Sequence, residues 1–579
     1  MTKPFRICVA DLSAARSEIV EMDQREALMG GCGLAAGLYE KYGLPQEPAH
    51  HPEQPMIFAI GPLTGYYPLM SKVVLGFKSP YRDEYGESHA GGRLALALRF
   101  AGYDALVVTG RAAAHSCLVV GSREFALEDV HYLWGRDVFT TGKVLRRMHK
   151  KHSGHRSILR IGPAGENQVA YASINVDTYR HFGRLGGGAV MGGKNLKGII
   201  VNGDGSFFLP KGKAYPKLYQ SVYEAITEPK IMHKYHDLGT AVNLSVLNEL
   251  KALPWSNLQA TRDPGIDGIS GETFARDLLL RQTACAGCPI GCIHVGLLRE
   301  RFGKEHEYYY RQVSYDYEPI FGLGSMLGMQ RAQDVLTLLE DAEKQGLDVI
   351  SSGVALAWAT EALGKGLVGQ QETLEPLQFN ELAPYRRALE HLGAGENDFY
   401  RTLGQGALAA ARVYGGEDFA CVLGQEMAGY ATGETYAVSQ AYGFRHSHLD
   451  SAGYAFDQTT EERDVQSAVD FMVEEERLRV GTCCMVACLF ARKVYTEPRL
   501  QECLAALGHE QLAGGFPELS REVQQKRWQL KFATGYDPDT VTIPKRYREV
   551  VTWKGPMDEA YMNDLAGAYK KAVRELAGE

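Results

Sequence analysis

The sequence predicts an α+β protein: a β-rich N-terminal domain over residues 1–208, then two mostly helical domains over 209–415 and 416–579. Two observations carry that prediction. Through residue 205 or so, short apolar or β-branched runs recur between Gly and Pro punctuation, which is the strand signature. After Gly212 the texture changes to apolar residues spaced three and four apart, which is the helical one. No internal repeat and no low-complexity linker interrupts this division.

The elements follow in order. The segment ending at Asp11 alternates as a strand does, and Met56-Ile57-Phe58-Ala59-Ile60 stops at Gly61-Pro62. Ala105-Leu106-Val107-Val108-Thr109 stops at Gly110, Ser157-Ile158-Leu159-Arg160-Ile161 at Gly162-Pro163, and Lys197-Gly198-Ile199-Ile200-Val201 at Asn202-Gly203. Helices are expected over Ala332 to Gly346, Val465 to Val480 and Met557 to Leu576. The second domain boundary is placed on the Gly415-Gly416 turn.

Composition narrows the function classes. Of 579 residues, 45% are hydrophobic and 23% charged, which excludes a disordered chain. The formal charge of −8 argues against nucleic-acid or anionic-membrane binding, both of which need a basic footprint. Glycine is enriched, with 64 residues, so some part of the chain wants close backbone approach. No run reaches the ~18 apolar residues of a membrane helix. Met1 to Arg6 carries no secretory h-region, so a cytoplasmic protein with reduced thiols is expected. Of eleven cysteines, Cys8, Cys32, Cys117 and Cys421 are scattered and read as buried hydrophobes.

The others cluster. Cys285-Ala-Gly-Cys288-Pro-Ile-Gly-Cys292 places three thiols within eight residues on a tight Gly/Pro turn. A cubane cluster wants a fourth thiolate, and Cys488, in the second group with Cys483 and Cys484, is the natural candidate. The same ligand set could also hold a structural zinc. A second stretch, Gly183-Arg184-Leu185-Gly186-Gly187-Gly188-Ala189 followed by Met191 to Lys197, leaves backbone N–H groups bare beside Arg180, Arg184 and Lys194. That suits a phosphate or pyrophosphate, although a tight turn packed on a sheet would look the same. Its spacings match neither a P-loop nor a dinucleotide fingerprint.

Taken together, these stretches resemble the aldehyde:ferredoxin oxidoreductase family of tungsten or molybdenum bis-pterin enzymes. Gly61-Pro62-Leu63-Thr64-Gly65, Ser88-His89-Ala90-Gly91-Gly92, Ala101 to Ala105 and Ile161 to Asn167 match its N-terminal half. So does Gly188 to Gly192 through Lys194-Asn195-Leu196-Lys197. Cys285 to Cys292 looks like the family's cluster motif, and Asp537-Pro538 to Pro544-Lys545-Arg546 resembles its C-terminal signature. The resemblance implies an N-terminal sheet domain forming a saddle under two pterins, with helical domains above it. It further implies one 4Fe-4S cluster on Cys285, Cys288, Cys292 and Cys488, and a Mg2+ bridging the two pterin phosphates through backbone carbonyls of His89 and His181. Lys72 and Arg180 stand at phosphate- and cluster-side basic positions; Lys72 replaces the usual arginine, a point charge for a bidentate fork. Gly91, Gly92, Gly183, Arg184, Gly186 and Gly187 fall in the same cofactor-binding motifs.

Glu318, in Tyr315-Asp316-Tyr317-Glu318-Pro319, matches the family's glutamate near the metal, and His448 its active-site histidine, with His446 as the alternative. A carboxylate and an imidazole suit the removal of protons during oxidation of a carbonyl carbon. The first pterin-anchoring motif appears as Glu343-Lys344-Gln345-Gly346-Leu347-Asp348, with Glu343, Leu347 and Asp348 as its anchors. The second is altered: Cys483 stands where aspartate is expected, Ala487 precedes the cluster cysteine, and Asp450 replaces a frequent lysine. Asp450 is therefore expected to supply the carboxylate that Cys483 cannot.

The resemblance thus implies an oxidoreductase that converts an aldehyde or related carbonyl compound to the acid, passing electrons through one cluster to ferredoxin or an iron–sulfur partner subunit. Two alternatives remain at this point: the same cofactor serving a different substrate or the reductive direction, and a non-catalytic electron-transfer subunit. No nucleic acid or membrane insertion is expected, and a homodimer is common in the family.

Overall fold

The computed structural model describes residues 4–150, 155–228 and 230–579. Its N-terminal part is two six-stranded mixed sheets. The first contains β1 (Phe5–Asp11), β2 (Arg16–Met22), β3 (Met56–Ala59), β4 (Val73–Ser79), β5 (Glu84–Ala90) and β6 (Ala105–Thr109), in the order β2-β1-β6-β3-β4-β5. The second contains β7 (Ser116–Gly121), β8 (Phe125–Asp129), β9 (Arg156–Arg160), β10 (Ile174–Val176), β11 (Arg180–Phe182) and β12 (Leu196–Asn202), in the order β11-β10-β9-β12-β7-β8. Each sheet has one parallel pair, β1–β6 and β12–β7.

The period-2 geometry of a strand decides what each sheet covers. In the first sheet Cys8, Ala10, Phe58, Leu75, Leu106 and Val108 pack against Leu118, Val120, Leu159, Ile199 and Val201 of the second. The alternate residues, Ile7, Val9, Ile57, Val74 and Val107, point the other way into the large core shared with the helical part. The second sheet's outer face, with Val119, Ile158 and Ile200, is closed by Leu145 of the helix Val138–Met148. Both sheets thus carry strands that are apolar on both faces, which is why those strands read as continuous hydrophobic runs.

From residue 214 the chain is mostly helical, and the three helices expected from periodicity form as Ala332–Gln345, Val465–Cys484 and Glu559–Ala577. The helical reading of 209–415 needs one correction. A three-stranded antiparallel sheet of β13 (Leu279–Thr283), β14 (Ile293–Arg301) and β15 (Tyr308–Tyr315) lies within it. The run Tyr308-Tyr309-Tyr310 and the apolar Ile293-His294-Val295 are strand-forming, and Cys285 to Cys292 is the loop of the first hairpin.

Two features fix the site. Helices Tyr317–Leu323 and Val349–Gly364 cross at Gly353, where a Cβ would sit 1.9 Å from the Gly322 carbonyl oxygen. Only glycine permits that approach, which holds the helix bearing Glu318. The helix Phe516–Ala533 is tied to β5 by buried ion pairs: Arg527 donates to both oxygens of Glu87 at 2.9 and 3.0 Å, and Lys531 to Glu84 at 2.8 Å. The N-terminal sheets and the C-terminal helices therefore share one interior. No helix among the described residues is long and apolar enough to cross a membrane.

Candidate active site

The cysteine loop sits on the edge of the first sheet. Cys288 N–H donates to the Cys285 carbonyl at 3.1 Å and Ala286 N–H to that of Gly92 at 3.0 Å. Leu69 N–H then donates to Gly287, and Cys488 N–H to Leu69, each at 3.1 Å. The loop around Leu69 thus joins two segments far apart in sequence, bringing Cys488 to the other three cysteines. Burial, with each other's proximity added, pushes the Cys288 thiol up to about 12 and that of Cys292 to about 11. Burial also opposes ionisation of Cys285, but Lys72 and Arg180 outweigh it and bring that thiol below its ordinary value. Among the described residues no three His, Cys, Asp or Glu side chains converge on a single ion. Four thiols that act on one another without converging on a single ion fit a polynuclear cluster better than one zinc.

Lys72 is half-buried among them. Desolvation works against its ammonium group, yet Cys488, Cys285 and Cys292 hold it above its ordinary value. Gly91 lies directly beneath the thiols: a Cβ there would meet Cys285 Sγ at 2.6 Å and Lys72 Nζ at 3.0 Å. Lys72, His89, Gly91, Arg180, His181 and Gly183 line a cavity of about 240 Å3, which Glu343, Leu347 and Asp348 close from the other side. Gly92 is held at φ +100° with Asp177 beside it, at the turn out of β5.

The glycine-rich stretch divides between its two readings. Gly183 borders the cavity with open space around it. Gly186, Gly187 and Gly188 serve close packing instead: Cβ atoms there would meet Ala170 O at 2.0 Å, Leu75 Cδ2 at 2.9 Å and Ser173 O at 2.4 Å. Lys194 is turned away from any phosphate, donating to the carbonyls of Pro52 and Gly110. Arg184 bridges Asp348 at 3.3 Å and the Glu426 carbonyl at 2.7 Å, and its Nη1 is buried without a partner. Asp348 also caps the helix Val349–Gly364 through Ile350 and Ser351 N–H. Glu343 accepts from Asn175 at 3.1 Å and lies 3.3 Å from His181 Nε2, while Asn175 Oδ1 has no partner.

Next to the cavity residue His89, Cys483 Sγ is 3.8 Å from its Nδ1, and burial raises the Cys483 thiol to about 12. Ala487 pairs with Met70 in an isolated bridge, which sets the approach of Cys488. Asp450 does not present a free carboxylate. It accepts from Arg445 Nε at 2.6 Å and from the backbone N–H groups of Arg445 and Ser447 at 2.7 and 3.3 Å. The group facing Cys483 and His89 is the Arg445 guanidinium that Asp450 holds. His446 is structural: Nδ1 contacts the Ala441 carbonyl, Nε2 lies 3.6 Å from Glu84, and burial with Lys531 nearby drops its imidazole to about 4.

A second cavity, also about 240 Å3, opens over Glu318 and His448. His448 Nε2 is 3.3 Å from Glu318, Tyr430 donates its hydroxyl to the same carboxylate at 3.0 Å, and the Tyr430 ring lies 4.8 Å from the imidazole. Burial opposes the Glu318 charge, but His448 and then Tyr430 keep it below the usual carboxylate range. His448 Nδ1 is buried with no partner. Asp316, on the wall of the first cavity, is raised to about 6 by burial and by Glu318. Tyr430, Asp316 and Arg445 escaped the sequence reading; only Asp316, two residues from Glu318, carried a signal that could have found it.

Family models for the aldehyde ferredoxin oxidoreductase N-terminal domain and for its domains 2 and 3 match residues 7–203 and 217–576. The chain belongs to the aldehyde ferredoxin oxidoreductase family. It is an oxidoreductase of that family, and membership carries, in general terms, a tungsten pterin, an iron–sulfur cluster, a small-molecule substrate and a ferredoxin-type electron partner. A tungsten-containing aldehyde ferredoxin oxidoreductase of Pyrococcus furiosus is 32% identical over 71% of this chain and 67% of its own length. The WOR-like subunit of an aliphatic sulfonate oxidoreductase from the same organism is 28% identical over 69% and 66%. The active-site complex BamBC of benzoyl coenzyme A reductase, solved with 1,5-dienoyl-CoA, shares the fold, with TM-score 0.82 at 18% identity over 99% of this chain and 95% of that one. Four thiols at one edge, and the unpartnered Arg184 Nη1 and Asn175 Oδ1 beside the adjoining cavity, fit this family's cofactors.

Proposed function

We propose that this chain oxidises an aldehyde to its carboxylic acid at a tungsten or molybdenum bis-pterin, with one 4Fe-4S cluster on Cys285, Cys288, Cys292 and Cys488 carrying electrons out. The observation that carries this reading is the Glu318–His448–Tyr430 group, with His448 Nδ1 left without a partner, in a cavity of its own that Leu489 and Phe490, next to Cys488, help to line. The overall change is R–CHO + H2O → R–COO− + 3H+ + 2e−, the electrons leaving singly to two equivalents of a ferredoxin-type acceptor.

When bound, the pterin metal supplies the two-electron oxidation and the cluster its one-electron exit. The chain supplies the rest. Ionised Glu318 accepts the Nε2 proton of His448, an assignment made from the hydrogen-bond network, and leaves the buried, unpartnered Nδ1 as the ring's proton acceptor. Tyr430 fixes the carboxylate, so the imidazolium formed on proton uptake is stabilised in place. Asp316, raised to about 6 by burial and by Glu318, lines the first cavity and is available as a second proton carrier. Lys72, Arg180, His89, His181, Gly91, Gly92, Gly183 and Arg184 would hold the pterin phosphates, with Mg2+ on the backbone carbonyls of His89 and His181. Glu343, Leu347 and Asp348 would anchor one pterin ring. At the other, near Cys483 and Ala487, Asp450 acts by presenting Arg445.

Elemental analysis of anaerobically purified protein, grown with tungstate and molybdate, tests the reading alongside aldehyde-dependent viologen reduction. About one W or Mo and about four Fe per chain are expected. Iron without either heavy metal would turn the assignment to an electron-transfer subunit. A heavy metal with turnover only in the reducing direction would favour acid or thioester reduction.

A further inference from the structure

The cavity over Glu318 and His448 carries a charge pattern that aldehyde oxidation does not require. Lys234, on the helix Lys230–Asp237, and Arg492, in the turn after Cys488, both line it. Lys234 is exposed, Arg492 half-buried and His448 buried, so the cations lie on the solvent side of the dyad. Neither has a carboxylate partner among the described residues. Arg492 donates to the Leu489 carbonyl at 2.9 Å and sits by the Tyr235 hydroxyl, while Lys234 lies over the Tyr235 ring at 5.2 Å. Arg479, the third cation on the wall, is answered by Glu475 at 2.8 Å. Among the described lining residues Glu318 is the one carboxylate, and His448 and Tyr430 already occupy it.

Two like charges are therefore held together at one opening of a chain whose net charge is −8. The proximity has a cost, since burial and then Arg492 and Lys493 bring the Lys234 ammonium below its ordinary value. Between the two cations, Tyr235 stacks on Phe490 with ring centroids 4.0 Å apart and planes within 3°. This pair gives the cations an apolar backing and limits the freedom of Arg492. A cationic pair backed by aromatic rings, opening on a buried proton acceptor, recognises an oxyanion at a short distance from the reacting carbon.

The geometry points to a short aldehyde bearing a second, terminal oxyanion, carboxylate, phosphate or sulfonate, as the substrate class, held by Arg492 and Lys234 while its carbonyl reaches His448. This inference rests on the aldehyde-oxidising reading. It goes beyond that reading by assigning the far end of the substrate.

The test pairs two four-carbon aldehydes, one ending in a carboxylate and one in a methyl group, assayed on the holoenzyme with a viologen acceptor. Titration calorimetry with butanedioate, a dianion that cannot be oxidised at a formyl group, is run beside it. The native enzyme is expected to favour the carboxylate-bearing aldehyde in kcat/KM. Arg492→Gln combined with Lys234→Gln should lower the ratio of the two kcat/KM values about ten- to hundred-fold and abolish butanedioate binding. Arg492→Lys should retain most of the ratio. Three- and five-carbon phosphonate- and sulfonate-terminated analogues then show which oxyanion fits best. Equal kcat/KM values for the pair, with the double variant leaving their ratio in place, would overturn the inference while the aldehyde reading stood. Butanedioate binding that needs Arg492, in a protein that oxidises neither aldehyde, would uphold the anion site and sink the aldehyde reading. A double variant whose only change is a raised KM for a reduced or oxidised ferredoxin would also overturn it, because the cations would then serve a docking acidic protein near Cys488.

Discussion

The cavity beside the cysteines and the cavity over Glu318 have similar volumes, about 240 Å3 each, but opposite construction. The first is walled by strand ends and their turns on one side and by helix residues such as Leu339 and Glu343 on the other, and charges in and beside it are met inside the chain: Lys72 and Arg180 by thiols, Arg184 by Asp348, His181 by Glu343. The second is walled by helices, aromatic rings and one turn, and two of its cations are left open to whatever enters. A cofactor that must be held at one position is served by backbone fixed in two sheets. A substrate is selected by side chains on helical surfaces, which can change without disturbing those sheets.

Four measurements break or sharpen this contrast. The largest effect belongs to the first cavity: Cys488→Ser is expected to remove the cluster's iron and all dye-linked turnover, checked by iron content and electron paramagnetic resonance. Retention of a full cluster would mean that a different residue supplies the fourth ligand. In the second cavity, Glu318→Gln should leave metal content intact and lower kcat by about 10²- to 10⁴-fold, read from steady-state kinetics and metal analysis of one preparation. A fall in tungsten or molybdenum content would make Glu318 a structural support of the cofactor.

The wall behind the first cavity is probed next. Arg527→Met strands the fully buried Glu87 carboxylate and should cost about 3–5 kcal/mol of unfolding free energy, measured by denaturant titration. The double variant with Glu87→Gln should recover most of the loss; no recovery would show that Arg527 acts mainly through its place over the Phe444 ring, 3.8 Å away. The smallest effect is on pH. His446 is lowered to about 4 from 6.5, so the unfolded chain binds the extra proton first, and stability declines as pH falls from about 6.5 to 4. Glu87, lowered to about 2 from 4.5, extends the decline below that, since its contribution is present above its unfolded value and lost through its folded one. Melting temperatures of the native protein and of His446→Gln should diverge between pH 7 and 5; parallel curves would remove His446 from the account.

The contrast also explains what the sequence made legible. The sheets could be read because strands such as Met56–Ala59 and Ala105–Thr109 are short apolar runs with Gly or Pro at their ends. The cysteine loop could be read because its three thiols have a close local spacing, and the distant Cys488 stood in a recognisable context. Glu318 and His448 came from resemblance to a family, not from any local pattern. Tyr430 could not be found at all, since its role exists only where the chain returns to Glu318 after folding. Arg445 was hidden for a different reason. The sequence shows Asp450 as a carboxylate, and only the structure shows that carboxylate closed by its own neighbour. The hairpin around Cys285 was missed although two of its strands, Ile293–Arg301 and Tyr308–Tyr315, are the longest described, because their charged and tyrosine-rich stretches lack the short apolar runs that mark the N-terminal strands.

The bridge through Leu69, which ties Cys488 to the Cys285 loop, has a consequence for biosynthesis. Cys285, Cys288 and Cys292 leave the ribosome well before Cys488 and the helices that follow it are made. On the proposed four-cysteine site, an iron–sulfur donor that met the nascent chain early would find a three-cysteine loop, and delivery would be completed once Cys488 had emerged and packed.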